Sequence, residues 1–207
     1  MPELSNIQTF EKIVGTDYNP TLIRFSNVLK SIGLWNKEIK NAFDKFEWKV
    51  GDDGFVFSSI VDLEFYISKL SGVKIRPLVM VYTPALNSTF QDNWICCDLL
   101  IEAKNLRSFE TGQFHDCTYD LIESLAKEMQ NEFRQTGIYF ADEAQDGQDF
   151  DAIRCNDLSK LWQFDYALIP KELETIYSKP PKTHQVNQLD NYFECWYIDR
   201  WKIKPNR

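Results

Sequence analysis

Histidine is scarce in this sequence, with only His115 and His184 present, and no two cysteines stand in a Cys-x-x-Cys pair. Zinc-finger and zinc-ribbon spacing is therefore absent. No P-loop and no Gly-x-Gly-x-x-Gly run occurs, so nucleotide chemistry of the usual kinds has no support. A nucleophile elbow, Gly-x-Ser-x-Gly, is also missing, which removes the common Ser-His-Asp hydrolase arrangement. Glycine and proline number eight each, too few for a low-complexity or collagen-like chain. No apolar run approaches the length of a membrane span. Residues 1–6 carry neither the basic region nor the apolar run of a secretory leader, and the cytoplasm is the expected compartment. Basic residues are outnumbered, 23 Lys and Arg against 31 Asp and Glu, for a net charge of −8. That balance repels polyphosphate and disfavours nucleic acid. It suits a partner protein with a basic surface, or ordinary solubilising charge.

Hydrophobic residues make up 43% of the 207 and aromatics 14%, ample for a packed core. The five cysteines are an odd number, and free thiols in a reducing compartment account for them most simply. Leu4, Ile7, Phe10 and Ile13 recur at helical spacing. Asn19-Pro20 reads as a helix start, Leu22, Phe25, Leu29 and Ile32 form its apolar stripe, and Gly33 ends it. Trp35, Ile39, Phe43 and Phe46 predict a third helix. After a turn at 51–54 and a short strand at 55–57, Ser58 or Ser59 caps a predicted helix to Leu70. Residues 77–83 and 93–104 are predicted strands forming an antiparallel pair, with a weaker strand at 109–114. A long amphipathic helix is expected over 117–135, strands at 137–141 and 164–169, and a short helix at 171–177. Residues 178–188, with Pro180-Pro181, read as a mobile segment, and 192–203 as a final aromatic strand. The sum is α+β: N-terminal helices followed by a mostly antiparallel sheet covered by a long helix. The chain is read as one domain, with a helical part over 1–50 packed on the 51–207 core.

Four groups carry candidate chemistry. In 93–104, period-two alternation sets Asp98, Glu102 and Lys104 on one face, opposite Ile95, Cys97, Leu99 and Ile101. Glu102-Ala103-Lys104 at the end of an apolar strand, within a helix–strand–strand–helix–strand order over 58–141, resembles the core of the PD-(D/E)xK nuclease superfamily. The resemblance implies a metal-dependent phosphodiesterase. Its magnesium ligands would come from Asp92, Asp98 and Glu102, its catalytic group would be Asp98, Glu102 and Lys104, and Lys104 would support the attacking water or the developing charge. No Pro-Asp dipeptide precedes Glu102, and Glu102 falls on the second strand after the helix rather than the third. The same alternation also describes the wet face of a sheet.

The second group is the acidic stretch Asp142, Glu143, Asp146, Asp149 and Asp151. Ala144 and Ile153 occupy positions where an EF-hand loop needs ligands, so the stretch reads as an exposed patch for a basic partner. In the third, Trp196 and Trp201 on the last strand offer the aromatic contacts that dominate binding hot spots. The fourth comprises His115, Cys117 and His184. Cys117 is expected buried at the start of the long helix, and nothing in the sequence orients His184. The function these readings favour is non-catalytic: a cytoplasmic protein-binding module of immunity-like, antitoxin-like or adaptor type. It would need no cofactor and would bind through the acidic stretch with Trp196 and Trp201. The alternative is the magnesium-dependent nuclease.

Overall fold

The computed structural model describes residues 3–47, 49–50, 56–57, 63–84, 91–142, 148–155 and 157–201. The expected turn at 51–54, the Ser58 or Ser59 cap, and Glu143 and Asp146 lie outside the described residues. Among the described residues the architecture is mixed: four α-helices and an eight-stranded open sheet in which every neighbouring pair is antiparallel.

Residues 4–13 correct the expectation of an all-helical N-terminus. They form strand β1 (Leu4–Ile13), paired along its length with β6 (Asn93–Glu102) and over Asn6–Gln8 with β7 (Ile138–Ala141). Pairing on both sides puts β1 in the middle of the sheet. Ile7, Thr9, Glu11 and Ile13 then share one face, and Asn6, Gln8 and Phe10 the other. Both faces are covered, so the strand lacks the apolar–polar alternation of a half-wet one. The buried Glu11 side chain is neutralised from α1 (Asn19–Ser31) by Arg24, and it accepts a hydrogen bond from the Thr21 hydroxyl at 3.1 Å.

Helix α1 follows its expected stripe, with Leu22, Phe25, Val28 and Leu29 buried and Pro20 in its first turn. Gly33, at φ 72°, carries the left-handed residue that ends it. Helix α2 (Lys37–Asp44) starts at Asn36, whose side chain accepts from the Glu38 and Ile39 N–H groups. Strands β2 (Lys49–Val50) and β3 (Val56–Phe57) form a separate two-stranded ladder. Where a helix to Leu70 is expected, residues 66–67 are instead the short strand β4 (Tyr66–Ile67). Ser71-Gly72 turns the chain into β5 (Lys74–Tyr82) rather than closing a helix. Strands β5 and β6 pair antiparallel, as expected. Residues 107–114 contain only an isolated bridge, Arg107 to Phe114.

The long helix α3 (Thr118–Glu132) lies against β1, β7, β8 (Tyr166–Pro170) and α1. Its Ile122, Leu125 and Met129 side chains, with Phe133 at its C-cap, join Ile7, Val79, Ile95, Leu99, Phe140 and Leu168 in the main core. Helix α4 (Gln148–Cys155) occupies part of the expected acidic loop and covers the other face. There Phe150 stacks on Phe10 at 4.1 Å between centroids and 4° between planes. Beside it, Ala152, Leu161, Phe164 and Tyr177 pack on Tyr139, Ala167, Ile169 and Cys195. The segment expected to be mobile contains the edge strand β9 (His184–Gln188). It pairs with β10 (Tyr192–Tyr197), which ends before the expected 203. The order across the sheet is β4-β5-β6-β1-β7-β8-β10-β9.

Candidate functional site

Strand β6 ends at Glu102, and Lys104 sits in the following 3-10 turn rather than on the strand. The two side chains pair with each other at 2.7 Å, with Lys104 57% exposed. Asp98 is buried, and the Asn6 amide donates to it at 3.4 Å. Asp92 lies at the opposite end of β6, paired with Lys12 at 2.6 Å. Ten residues of extended chain, roughly 3.3 Å each, separate Asp92 from Glu102, so these carboxylates do not converge. Among the described residues no group of three or more His, Cys, Asp or Glu side chains is placed to hold a metal ion.

The described acids of 142–151 differ from the expected exposed patch. Asp142 is fully buried as a side chain, with the Arg107 guanidinium at 2.8 Å and Arg200 at 3.4 Å. It accepts the Ser5 hydroxyl at 2.8 Å. Asp149 is 4% exposed, and Asp151 pairs with Arg154 at 2.7 Å. Trp196 and Trp201 are 2% and 6% exposed. Of the described members of the expected surface, Asp142, Asp149, Trp196 and Trp201 are thus buried, and Asp151 is partly exposed.

An acidic and aromatic surface does occur elsewhere. The 107–116 hairpin and the 197–201 turn enclose a cleft of about 640 Å³, within the roughly 300–1,000 Å³ of ligand pockets. Gly112, at φ 65°, makes the hairpin tip, and its N–H donates to the Ser108 carbonyl at 2.8 Å. The floor is aromatic: Phe114 stacks on Trp201 at 4.6 Å, and Tyr119 meets Trp201 edge-on at 5.2 Å. Trp201 is fixed by its indole N–H, which donates to the Asp165 carbonyl at 2.7 Å. Tyr119 is fixed by donating to the buried Glu194 at 2.8 Å. Asp116 and Asp199 stand exposed in the lining, with His115 beside them. Arg200 is the cation of the lining, lying over the Phe114 ring at 5.7 Å and 3.4 Å from both Asp142 and Asp165. Its charge is thus met from behind, and the mouth keeps the two carboxylates. Cys117, expected buried, is exposed at the N-cap of α3.

The other sheet face carries a second polar constellation. Asp149 Oδ1 accepts from the Trp162 N–H and the Tyr177 hydroxyl, each at 3.0 Å, and Oδ2 accepts from the Gln163 N–H at 3.0 Å. The chain continues backwards: the Tyr139 and Tyr177 hydroxyls are 3.1 Å apart, and the Gly137 N–H donates to Tyr139 at 3.0 Å. Because Tyr177 spends its proton on Asp149, Tyr139 donates to Tyr177. Burial pushes Asp149 up to about 7, while the hydrogen bonds from Trp162, Tyr177 and Gln163 pull the other way. These bonds bracket Trp162 at φ 69°, the one non-glycine residue with positive φ among those described. A bulky residue there costs roughly 1–3 kcal/mol, and such positions cluster at functional sites. His184 is well oriented, contrary to the reading of its segment. The Phe164 carbonyl only accepts, so Nε2 donates to it at 3.1 Å and Nδ1 accepts from the Thr183 hydroxyl at 3.2 Å. Burial holds its pKa below the ordinary value.

Sequence reasoning missed the cleft because Phe114, Tyr119 and Trp201 are core-like by pattern, and Asp116 and Asp199 are remote in sequence. It missed Trp162 because no glycine or Asn-Gly step marks the left-handed turn. Comparison of the chain with protein-family models, with curated proteins and with solved structures finds no match. No helix among the described residues is long and apolar enough to cross a membrane.

Proposed function

We propose that the chain is a non-catalytic protein-binding module, of immunity-like, antitoxin-like or adaptor type, whose contact surface is the cleft between the 107–116 hairpin and the 197–201 turn. The observation that carries this reading is the pairing of an aromatic floor, Phe114, Tyr119 and Trp201, with the exposed carboxylates Asp116 and Asp199. Phe114 is the partly exposed ring of that floor, backed by the buried Tyr119 and Trp201, and a ring held rigidly in this way offers contact at low entropic cost. The carboxylates attract a basic segment of a partner and set its approach. The net charge of −8 adds long-range attraction of the same sign.

The buried carboxylates fit this reading because they hold the fold together. Asp142 is bound to Arg107 and Ser5, Glu194 to Tyr119 and Tyr166, and Glu11 to Arg24 and Thr21. The test is charge reversal of the rim, Asp116→Lys with Asp199→Lys. Both sites are exposed, so stability should change by less than about 0.5 kcal/mol each. Association with a basic partner should slow markedly and lose its salt dependence. Unchanged association and unchanged salt dependence would remove the cleft from the interface.

A further inference from the structure

Among the described residues the large sheet has two edges. One is β4, only two residues long, and so short an edge gives another strand little to pair with. The other is β9, which lies outside β10. Natural edge strands are blunted by charge, proline or a bulge. Strand β9 carries none of these: its sequence is His-Gln-Val-Asn-Gln, and its register with β10 runs without a break. Gln185, Val186, Asn187 and Gln188 are all exposed. The charges stand just outside it, Lys182 before and Asp190 after. Both are exposed, and neither has an ion pair among the described residues.

The ladder fixes which main-chain groups face outward. The Ile198 N–H donates to the Thr183 carbonyl at 2.9 Å, and the Leu189 N–H to the Tyr192 carbonyl at 3.0 Å. Bonded residues alternate along an antiparallel strand. Gln185 and Asn187 therefore spend their main-chain groups on β10, while Val186 and Gln188 turn theirs away from the sheet. The His184 N–H bends back to the Pro181 carbonyl at 3.0 Å, so His184 offers outward only its carbonyl. Val186 is paired with Cys195, and its side chain shares that face, beside the hollow lined by Pro180, Phe193 and Tyr177. On the other face the Asn187 amide donates to Glu194 at 3.3 Å, which leaves its Oδ1 as an acceptor.

We propose that β9 is a self-association edge, on which a second copy of this chain lays its own β9 antiparallel about a twofold axis at Val186. Each Val186 then exchanges both main-chain bonds with its counterpart, and each Gln188 N–H donates to the His184 carbonyl of the other copy. Gln185 falls opposite Asn187 of the other copy, in the pair type where side chains lie closest, and its amide donates to the waiting Oδ1. The charges select a second copy over an unrelated strand. Lys182 stands four positions before Val186 and Asp190 four after it, so this register brings the Lys182 end of each copy to the Asp190 end of the other. Like charges do not meet anywhere along the seam. The edge is separate from the acidic cleft, and its test leaves Asp116 and Asp199 untouched.

The experiment is sedimentation equilibrium of the full chain over a concentration series. It is run at about 0.15 M salt, which screens the repulsion between two acidic chains beyond roughly 8 Å. A reversible monomer–dimer equilibrium is expected, with no larger species, because the pairing consumes the edge of both copies. Val186→Pro removes an N–H that β10 does not use, and should raise the dimer dissociation constant about tenfold or more. Lys182→Glu or Asp190→Lys alone should raise it about threefold or more, since twofold symmetry counts each change twice. Lys182→Glu combined with Asp190→Lys restores opposite charges across the seam and should recover the parent value. These two sites are exposed, so the charge variants keep the test open even where the proline variant unfolds. A chain that stays monomeric at every concentration overturns the proposal and leaves the edge to an extended segment of another protein. A dimer indifferent to the single charge reversals, or one that the double reversal does not restore, overturns it as well.

Discussion

At the scale of single residues, Asp149 and Asp142 are two buried carboxylates with opposite electrostatic situations. Asp142 meets guanidinium groups, whereas Asp149 meets only neutral donors. The folded-state value of Asp149, about 7, lies above its ordinary value of 3.8. The folded chain therefore holds that proton more tightly than the unfolded chain. The stability this gives is full below the unfolded value and is lost as pH rises through the folded one. Wild-type stability relative to Asp149→Asn should accordingly fall between about pH 4 and pH 7, by roughly 1.4 kcal/mol per pH unit at the steepest. His184, held low by burial, acts the other way as pH falls through its ordinary range. The difference between the two proteins in urea unfolding, not the slope of either, is thus the quantity to read. Parallel profiles would show that Asp149 does not titrate as described. For Asp142, replacing Arg107 by Met removes the nearer guanidinium from a side chain of 0% exposure, leaving Arg200 at 3.4 Å and the Ser5 hydroxyl, and should cost up to about 3–5 kcal/mol. Adding Asp142→Asn should recover part of that loss. Thermal unfolding of the three variants checks it.

At the scale of elements, β1 is the centre of the fold. Phe10 on this strand is fully buried and stacked on Phe150 of α4. Truncation to Ala should cost about 3–5 kcal/mol, whereas Val14→Ala, at a residue 87% exposed, should change stability by less than about 0.5 kcal/mol. Comparable effects in chemical denaturation would contradict the placement of β1 between the two layers. Helices α1, α2 and α3 were legible because their apolar stripes face one core. The β5–β6 pair was legible from its apolar runs and the intervening turn. Strand β1 was not, because Asn6, Gln8, Thr9 and Glu11 interrupt any period-two pattern, and Ile7, Phe10 and Ile13 happen to fall at helical spacing. Its polar side chains are tolerated because partners come from far along the chain. Thr136, for example, receives the Phe10 N–H at 3.0 Å, and no local rule foresees that bond. Strand β9 was hidden by its polar composition, which suits an exposed edge, and by the Pro180-Pro181 pair that precedes it.

For the whole molecule, the order of predicted elements gave the mixed class and composition the acidic balance, while the contact surface expected at 142–151 with Trp196 and Trp201 falls on residues of which Asp142, Asp149 and both tryptophans are buried. The acids that cluster in sequence, 142–151, are partly spent on the interior: Asp142 on Arg107, Asp149 on the Trp162 turn. The acids at the cleft mouth, Asp116 and Asp199, are 83 positions apart and meet only because the 107–116 hairpin and the turn after β10 fold onto the same end of α3. Charge proximity of this kind is a property of the topology and not of any segment. The tryptophans show the same separation of pattern from role. Trp196 and Trp201 both belong to the main core, and Trp201 also backs the floor of the cleft.

The measurement that bears most directly on the central claim compares capture from the native host by the wild-type chain and by the Asp116→Lys/Asp199→Lys variant, each washed at low and high salt. The account predicts a stoichiometric basic protein retained by the wild type at low salt, released at high salt, and not retained by the variant. Equal retention by both proteins, or retention by the wild type that ignores salt, would contradict it.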